Sequence, residues 1–198
     1  MNPKLILASS SKFRVSLLEQ IGYIPDQIYA PDIDETPFKK ELPKKISQRL
    51  AQEKAIKASS LFENDIVIAA DTVASVGSLI LPKALTEEDA LFCIKKLSGR
   101  RHRVYTTVCG IHKGKCITKT STSIIKFKRL SDQEIKLFIE SKDWYGKAGG
   151  YALQGLASAF IIWMRGSHTN ITGLPLYETY LILSSFGSLP NLTTKPKV

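Results

Sequence analysis

The stretch Asp65-Ile66-Val67-Ile68-Ala69-Ala70-Asp71 decides the fold. Five consecutive apolar residues between two carboxylates form a run of strand length without alternation. This predicts a strand covered on both faces, as in sheets flanked by helices. The run stops at Asp71, so that carboxylate is expected at the C-terminal end of a strand, where open α/β folds place their ligands. The plainer role for Asp71 is a turn or cap.

Outward from this strand the chain alternates. Upstream, Lys4–Ala8 reads as a second buried strand, Ser9-Ser10-Ser11 as a turn, and Phe13, Leu17, Leu18 and Ile21 recur at helical spacing up to a C-terminal Gly22. That turn sets serine hydroxyls and free backbone N–H groups at a helix N-terminus, a favourable place for an anion. An acidic loop from Asp32 to Glu35 and two prolines precede a helix over about residues 44–61, with Ile46, Leu50 and Ile56 on one side. Downstream, Thr86-Glu87-Glu88-Asp89 has the form of a capping box and opens a helix to Gly99. Strands over 104–112 and 116–128 meet at Lys113-Gly114, Ser131 caps a further helix, and a glycine-rich loop from Gly146 to Gly155 leads to a strand over 159–164 and a last helix over 177–186. The expected class is mixed α/β: a single domain of two lobes over residues 1–190, with a cleft between the lobes, followed by a frayed tail over 191–198.

The chain has 198 residues, 28 Lys plus Arg against 18 Asp plus Glu, and a net charge of +10. Its 43% hydrophobic share excludes wholesale disorder. The charge is uneven: residues 91–150 hold fourteen basic residues against four acidic ones, whereas residues 61–90 hold one lysine and six acids. A basic stretch attracts phosphate, whether on nucleic acid, a membrane surface or a nucleotide. Cys93, Cys109 and Cys116 are odd in number and lack C-x-x-C spacing, which argues against a disulfide framework and a four-ligand zinc site, and they read as reduced packing residues. No apolar run reaches the roughly 18 residues of a membrane span and no signal-peptide core is present, so the expected location is the cytoplasm and no membrane partner is expected.

The P-loop pattern, the G-x-S-x-G elbow and H-E-x-x-H are all missing from the sequence. What remains is a series of separated polar residues flanking apolar elements: Ser9, Ser11, Arg14, Glu35, Lys54, Asp71, Lys83, Arg100, Arg101, Lys147 and Gln154. Taken singly, Arg14 and Lys54 are equally well explained as solvated helix-face charges.

Taken together, the segments Leu7-Ala8-Ser9-Ser10-Ser11-Lys12-Phe13-Arg14, Ala70-Asp71-Thr72-Val73, Leu97-Ser98-Gly99-Arg100, Lys147 to Gly155, and Gly173-Leu174-Pro175-Leu176 resemble, in order, the motifs of the Maf family of nucleotide pyrophosphatases. The resemblance covers about Lys4 to Phe186. It implies a fold related to the inosine triphosphate pyrophosphatases, with a central mixed sheet and a cleft between two lobes. It also implies hydrolysis of a nucleoside triphosphate to the monophosphate and pyrophosphate with a divalent metal. In that resemblance Ser9, Ser11 and Arg14 match the family's serine-arginine turn, with Phe13 in place of its first arginine. Glu35 matches the acidic loop residue, Glu53-Lys54-Ala55 the helical segment, Asp71 the general base and Lys83 the lysine of a Gly-Lys-Pro segment. Thr72 and Gln154 match residues tied to base preference, resembling the branch acting on dTTP and UTP rather than on 7-methyl-GTP.

The chemistry stands without the name. Splitting an α–β phosphate bond needs an activated water, neutralised phosphate oxygens and a stabilised leaving group. Asp71 can take the water's proton or hold a cation that Glu35 shares. Arg14, Lys54, Lys83 and Lys147 supply positive charge, Ser9 and Ser11 supply hydrogen bonds, and magnesium or manganese is the expected metal. Thr72 and Gln154 are neutral side chains suited to a base edge, or plain strand and loop residues. Trp144, Tyr145 and Tyr151 either stack on a base or fill the core. The expected partner is a small nucleotide, with a homodimer left open. The alternative from another class is a basic nucleic-acid-binding regulator using Arg100, Arg101 and Arg103, which no helix-turn-helix, RNP or zinc-finger signature accompanies.

Overall fold

In the computed structural model, which describes residues 3–191, a mixed sheet carries the molecule. Its strands are β1 (Leu5–Ala8), β2 (Gln27–Ile28), β3 (Ile66–Val76), β4 (Leu79–Leu81), β5 (Arg101–His112), β6 (Lys115–Phe127) and β7 (Ile161–Arg165). The helices are α1 (Lys12–Gln20), α2 (Pro43–Ser59), α3 (Glu87–Leu97), α4 (Asp132–Ser141), α5 (His168–Thr172) and α6 (Leu176–Ser185). Strand order is β2-β1-β3-β5-β6-β7, with β4 folded back on the far end of β3. β1 runs parallel to β2 and β3, and the remaining pairs are antiparallel.

The mixed α/β class follows from the alternation of elements, but several boundaries differ from the sequence reading. β3 does not end at Asp71. It continues to Val76, because β5 pairs with it through Ser75, and the apolar run marked only the part also flanked by β1. β5 starts at Arg101 rather than Val104, since its first residues alternate exposed Arg101 and Arg103 with buried His102 and Val104. Ile56 is exposed, not part of the buried face of α2. That face consists of Ile46, Ser47, Leu50, Ala51, Lys54, Ala55 and Ala58, and a position next to Ala55 is turned about 100° away from it. The segment over 159–164 opens as a 3-10 turn, Leu156–Phe160, before β7. β2, β4 and α5 are too short to leave a periodic signal. Asn191, taken as the start of a frayed tail, donates its N–H to Gly22 O, and the rest of that tail lies outside the described residues.

Local chemistry accounts for the ordered ends. Thr86 and Ser131 form reciprocal capping boxes with Asp89 and Glu134. Lys113 and Gly114 both adopt positive φ, as a two-residue hairpin turn requires. Cys93 and Cys109 are buried as expected, and burial pushes both thiols up to about 12. Cys116 departs from that expectation: it lies exposed at the start of β6.

The apolar core divides around the middle of β3. One part gathers Leu5, Leu7, Leu18, Ile68, Leu174 and Leu183 around the β1 end. A second gathers Ala74, Ile94, Leu97, Ile125, Phe127 and Phe138 around the β4 end, while smaller groups such as Ile6, Ala55, Val67 and Ala69, and Ile46, Leu50 and Val73, pack α2 onto the sheet. In the second part His102 is 1% exposed, edge-on to Phe127 and Tyr151, with Nε2 at 2.8 Å from the Tyr151 hydroxyl. Burial depresses its pKa from 6.5 to about 4. The folded protein therefore keeps this imidazole neutral where the unfolded chain already protonates it. Its contribution to stability is present above pH 6.5 and is lost as pH falls toward 4, by about 3 kcal/mol in all. Denaturant titrations at pH 7 and pH 4 should show wild type losing about that much more stability than His102→Gln. Equal losses would refute a neutral buried histidine.

Candidate active site

β1 ends opposite Ala69 of β3, and β4 joins the same edge of β3 only at Ala74. Residues 70–73 therefore have β5 on one side and no strand on the other. Asp71 and Thr72 stand in this gap, and a cleft of about 920 Å³ opens there. One wall is the turn after β1 with α1, Glu35 and Lys54; the other is Leu81–Lys83 with Tyr145–Gln154.

Lys54 lies in the sheet-facing stripe of α2 and is 9% exposed. Its ammonium lies 2.7 Å from Asp71 Oδ1 and 2.6 Å from Glu35 Oε1. Asp71 is 6% exposed. Burial pushes its carboxyl above the usual range, while Lys54 and Arg14 pull it back. Glu35, at 57% side-chain exposure, is the solvent-facing member of the trio.

Arg14 is fixed from three sides. Nε donates to Gly173 O at 2.8 Å, Nη1 to Ser9 Oγ at 2.9 Å and Nη2 to Thr72 Oγ1 at 3.3 Å. Burial lowers its pKa, opposed by Asp71 and Glu35, and the guanidinium remains a cation at neutral pH. Gly173 has φ 118°, a left-handed backbone that glycine suits and other side chains rarely adopt. Ser9 also accepts from Ser11 N at 3.2 Å, which makes it a brace for Arg14 and the turn. Ser11 is the N-cap of α1 and makes no side-chain cap hydrogen bond, so its hydroxyl and the helix start remain for an anion.

The second wall is tied down by its backbone. Lys83 pairs with Ala148, Gly149 N donates to Pro82 O, and Ala84 N to Lys147 O. Gly149 has φ 73°, and an added Cβ would sit 2.6 Å from Ala74 Cβ, so the loop reaches this depth only with glycine. Lys147 Nζ lies 4.5 Å from the centroid of the Phe13 ring, carrying a charge across the cleft onto α1. Gln154 Nε2 donates to Thr172 Oγ1 at 2.9 Å.

Ser9, Ser11, Phe13, Arg14, Glu35, Lys54, Asp71, Thr72, Lys83, Lys147 and Gln154 thus line one cleft. Arg100 and Arg101 do not. They lie exposed away from it, and the alternation of β5 turns Arg101 and Arg103 to the face opposite buried His102. Of the three aromatic candidates, Trp144 and Tyr151 are buried, and Tyr145 is exposed at the cleft. The residues that sequence reading passed over are Thr106, Asn170, Thr172 and Gly173. Gly173 stood in a recognised segment without a role, and the other three lie in short or polar runs without a signature.

Among the described residues no three His, Cys, Asp or Glu side chains gather around one point. The two carboxylates of Glu35 and Asp71 nevertheless suit a hard divalent cation that draws its other ligands from substrate phosphates and water, and the ammonium between them marks a position where positive charge is held. Among the described residues no helix is long and apolar enough to cross a membrane.

Comparison with known proteins agrees with this geometry. The family model described as Maf-like protein matches residues 4–186. A nucleoside triphosphate pyrophosphatase of Ehrlichia canis is 53% identical over 186 residues, covering 93% of this chain and 97% of the relative. A dTTP/UTP pyrophosphatase of Wolbachia pipientis wMel is 52% identical over 184 residues, covering 92% and 93%. In fold, the chain is similar to a HAM1 protein from Coxiella burnetii at a TM-score of 0.53 and 14% identity, covering 91% of this chain and 98% of the other. With its motifs in order, its cleft assembled from them and this similarity across nearly its whole length, the chain belongs to the Maf family.

Proposed function

We propose that the protein hydrolyses nucleoside triphosphates between the α and β phosphates, releasing the monophosphate and pyrophosphate, with dTTP and UTP as its preferred substrates. One observation carries the reading: a buried Asp71 ion-paired to Lys54 stands in the same cleft as Arg14, Lys83 and Lys147. The names of the Ehrlichia and Wolbachia relatives support the activity, and that of the Wolbachia relative supports the base preference.

In this reading Asp71 accepts the proton of the attacking water. Lys54 keeps that carboxylate ionised and oriented, despite its burial. Arg14, immobilised by Gly173, Ser9 and Thr72, offers a fixed cation to the phosphates, while Lys83 and Lys147 approach from the opposite wall. Ser11 and the start of α1 give neutral donors to phosphate oxygens. Glu35 and Asp71 would hold a magnesium or manganese ion, which would supply further charge neutralisation and a more acidic water. Thr72 and Gln154 meet the base. Three free cysteines suit a reducing compartment, and the reading places the enzyme in the cytoplasm with its nucleotide pool.

Asp71→Asn should keep the wild-type fold by circular dichroism and lose pyrophosphate release by about 100-fold to 10,000-fold, the range of general-base removal. Near-normal turnover by that variant would take Asp71 out of the mechanism, and inorganic phosphate as first product would overturn α–β cleavage. The acid limb of kcat/KM should lie above the ordinary carboxylate range, because burial raises Asp71. Since Lys54 favours the ionised form, Lys54→Met should move that limb to still higher pH in the residual activity. A limb that stays put or moves down would show that Asp71 does not set it.

A further inference from the structure

Thr106 lies on β5, fully buried, directly opposite Thr72 in the β3–β5 register, and takes no part in the chemistry described above. Its hydroxyl has one proton and two neighbours. One is the backbone carbonyl of Asn170 at 2.7 Å, which can only accept; the other is Thr72 Oγ1 at 3.0 Å. The proton of Thr106 therefore goes to Asn170 O, and Thr72 must donate its own proton to Thr106. Arg14 Nη2 donates to Thr72 Oγ1 on a further side. The Thr72 hydroxyl is thereby left with accepting capacity only.

The anchor of this chain is itself fixed. Asn170 is fully buried, and its side-chain Oδ1 accepts from Thr106 N at 3.0 Å while Nδ2 donates to Val104 O at 3.1 Å and Ser123 Oγ at 2.8 Å. These bonds leave the α5 turn no freedom to withdraw its carbonyl from Thr106.

On the opposite side Gln154 Nε2 gives one N–H to Thr172 Oγ1, whose own proton is directed to His168 O. Its carbonyl oxygen and second N–H stay available. A uracil or thymine edge has a single donor, N3–H, between two carbonyls. An obligate acceptor facing position 3 meets that N–H, whereas cytosine has a lone pair at N3 that would oppose it, and its one donor, the 4-amino group, lies at the neighbouring position where uracil and thymine have a carbonyl. We propose that Thr106, anchored by Asn170, is a positioning residue that fixes the Thr72 hydroxyl as a hydrogen-bond acceptor facing position 3 of the base and so selects pyrimidines with an N3–H over cytosine. The assignment rests on the nucleoside triphosphate pyrophosphatase reading of the cleft.

The test is the ratio of kcat/KM for UTP to that for CTP, both measured on one preparation so that the active fraction cancels. Thr106→Val removes the hydroxyl at nearly constant volume and leaves the backbone N–H to Asn170 in place, so Thr72 becomes free to turn its proton toward the base. Wild type should prefer UTP, Thr106→Val should lose roughly tenfold of that preference, and Thr106→Ser should retain it. Thr106→Ala gives the same loss of hydroxyl without the added methyl, should the valine variant not fold. An undiminished ratio in both hydroxyl-free variants, or a wild type indifferent to the base, overturns the proposal while leaving the pyrophosphatase reading standing. Failure of wild type to release pyrophosphate from any nucleoside triphosphate overturns both.

Discussion

The ammonium of Lys54 is buried on the sheet-facing side of α2, among Ile46, Leu50, Ala51, Ala55 and Ala58. An ion in that position has a desolvation penalty of several kcal/mol, which only close opposite charges offset. Asp71 and Glu35 at 2.7 and 2.6 Å meet the requirement. Three parts of the chain, the acidic loop, α2 and the centre of β3, thereby meet in charge at a single nitrogen, on top of the apolar packing of α2 against β3. A methionine or leucine at residue 54 would suit the helix face as well or better for stability. The charge makes sense as the partner of a buried carboxylate that the proposed mechanism uses in its ionised form.

The gap on β3 is the second constraint, and it explains why the trio faces a cleft instead of a closed core. β1 leaves after Ala8 because the serine turn diverts the chain into α1, and β4 reaches back no further than Ala74. Between them β3 is supported by β5 alone, so its carboxylate is rigid at the backbone yet open on one edge. A strand pairing on both edges over 70–73 would bury Asp71 beyond reach. A loop would leave it mobile. Gly149 lets the second wall come close against Ala74 of β3, and Lys147 from that wall reaches over Phe13, next to Arg14 on α1.

What was legible in the sequence was the part written in runs and local chemistry. The apolar stretch before Asp71, the two capping boxes and the Lys113-Gly114 turn each act over a few residues, and each corresponds to an observed element. Resemblance brought together cleft residues as distant as Ser9 and Gln154, which no periodicity links. What stayed illegible depends on pairing across the sheet. The extension of β3 to Val76 and the early start of β5 follow from each other's hydrogen bonds, not from either sequence alone. Arg100 and Arg101 were counted among the candidate polar residues because charge was read along the chain, whereas strand alternation decides where Arg101 points. Thr106 and Asn170 were invisible because a hydroxyl and an amide gain meaning only from the atoms they face.

The cleft is divided by the kind of polarity it holds. Near Asp71 full charges face one another: Lys54, Arg14, Glu35, with Lys83 and Lys147 on the second wall. Toward Gln154 the polar groups are neutral, namely Thr72, Thr172 and the amide itself. A polyphosphate with a base attached has the same division, multiple charge at one end and directional hydrogen bonds at the other. Charges attract phosphate at any orientation, and they discriminate little between bases. Neutral groups discriminate only when their protons cannot rotate, because a free hydroxyl accepts or donates as the ligand demands. Fixed carbonyls behind Thr106 and Thr172 remove that freedom at the base end. Arg14 joins the two regions, since one guanidinium nitrogen bonds Thr72 while the same group stands within the charge field of Asp71 and Glu35. In the proposed reading, selectivity in this cleft depends on hydrogen-bond directions set by the α5 carbonyls of His168 and Asn170, as much as on the side chains that face the nucleotide.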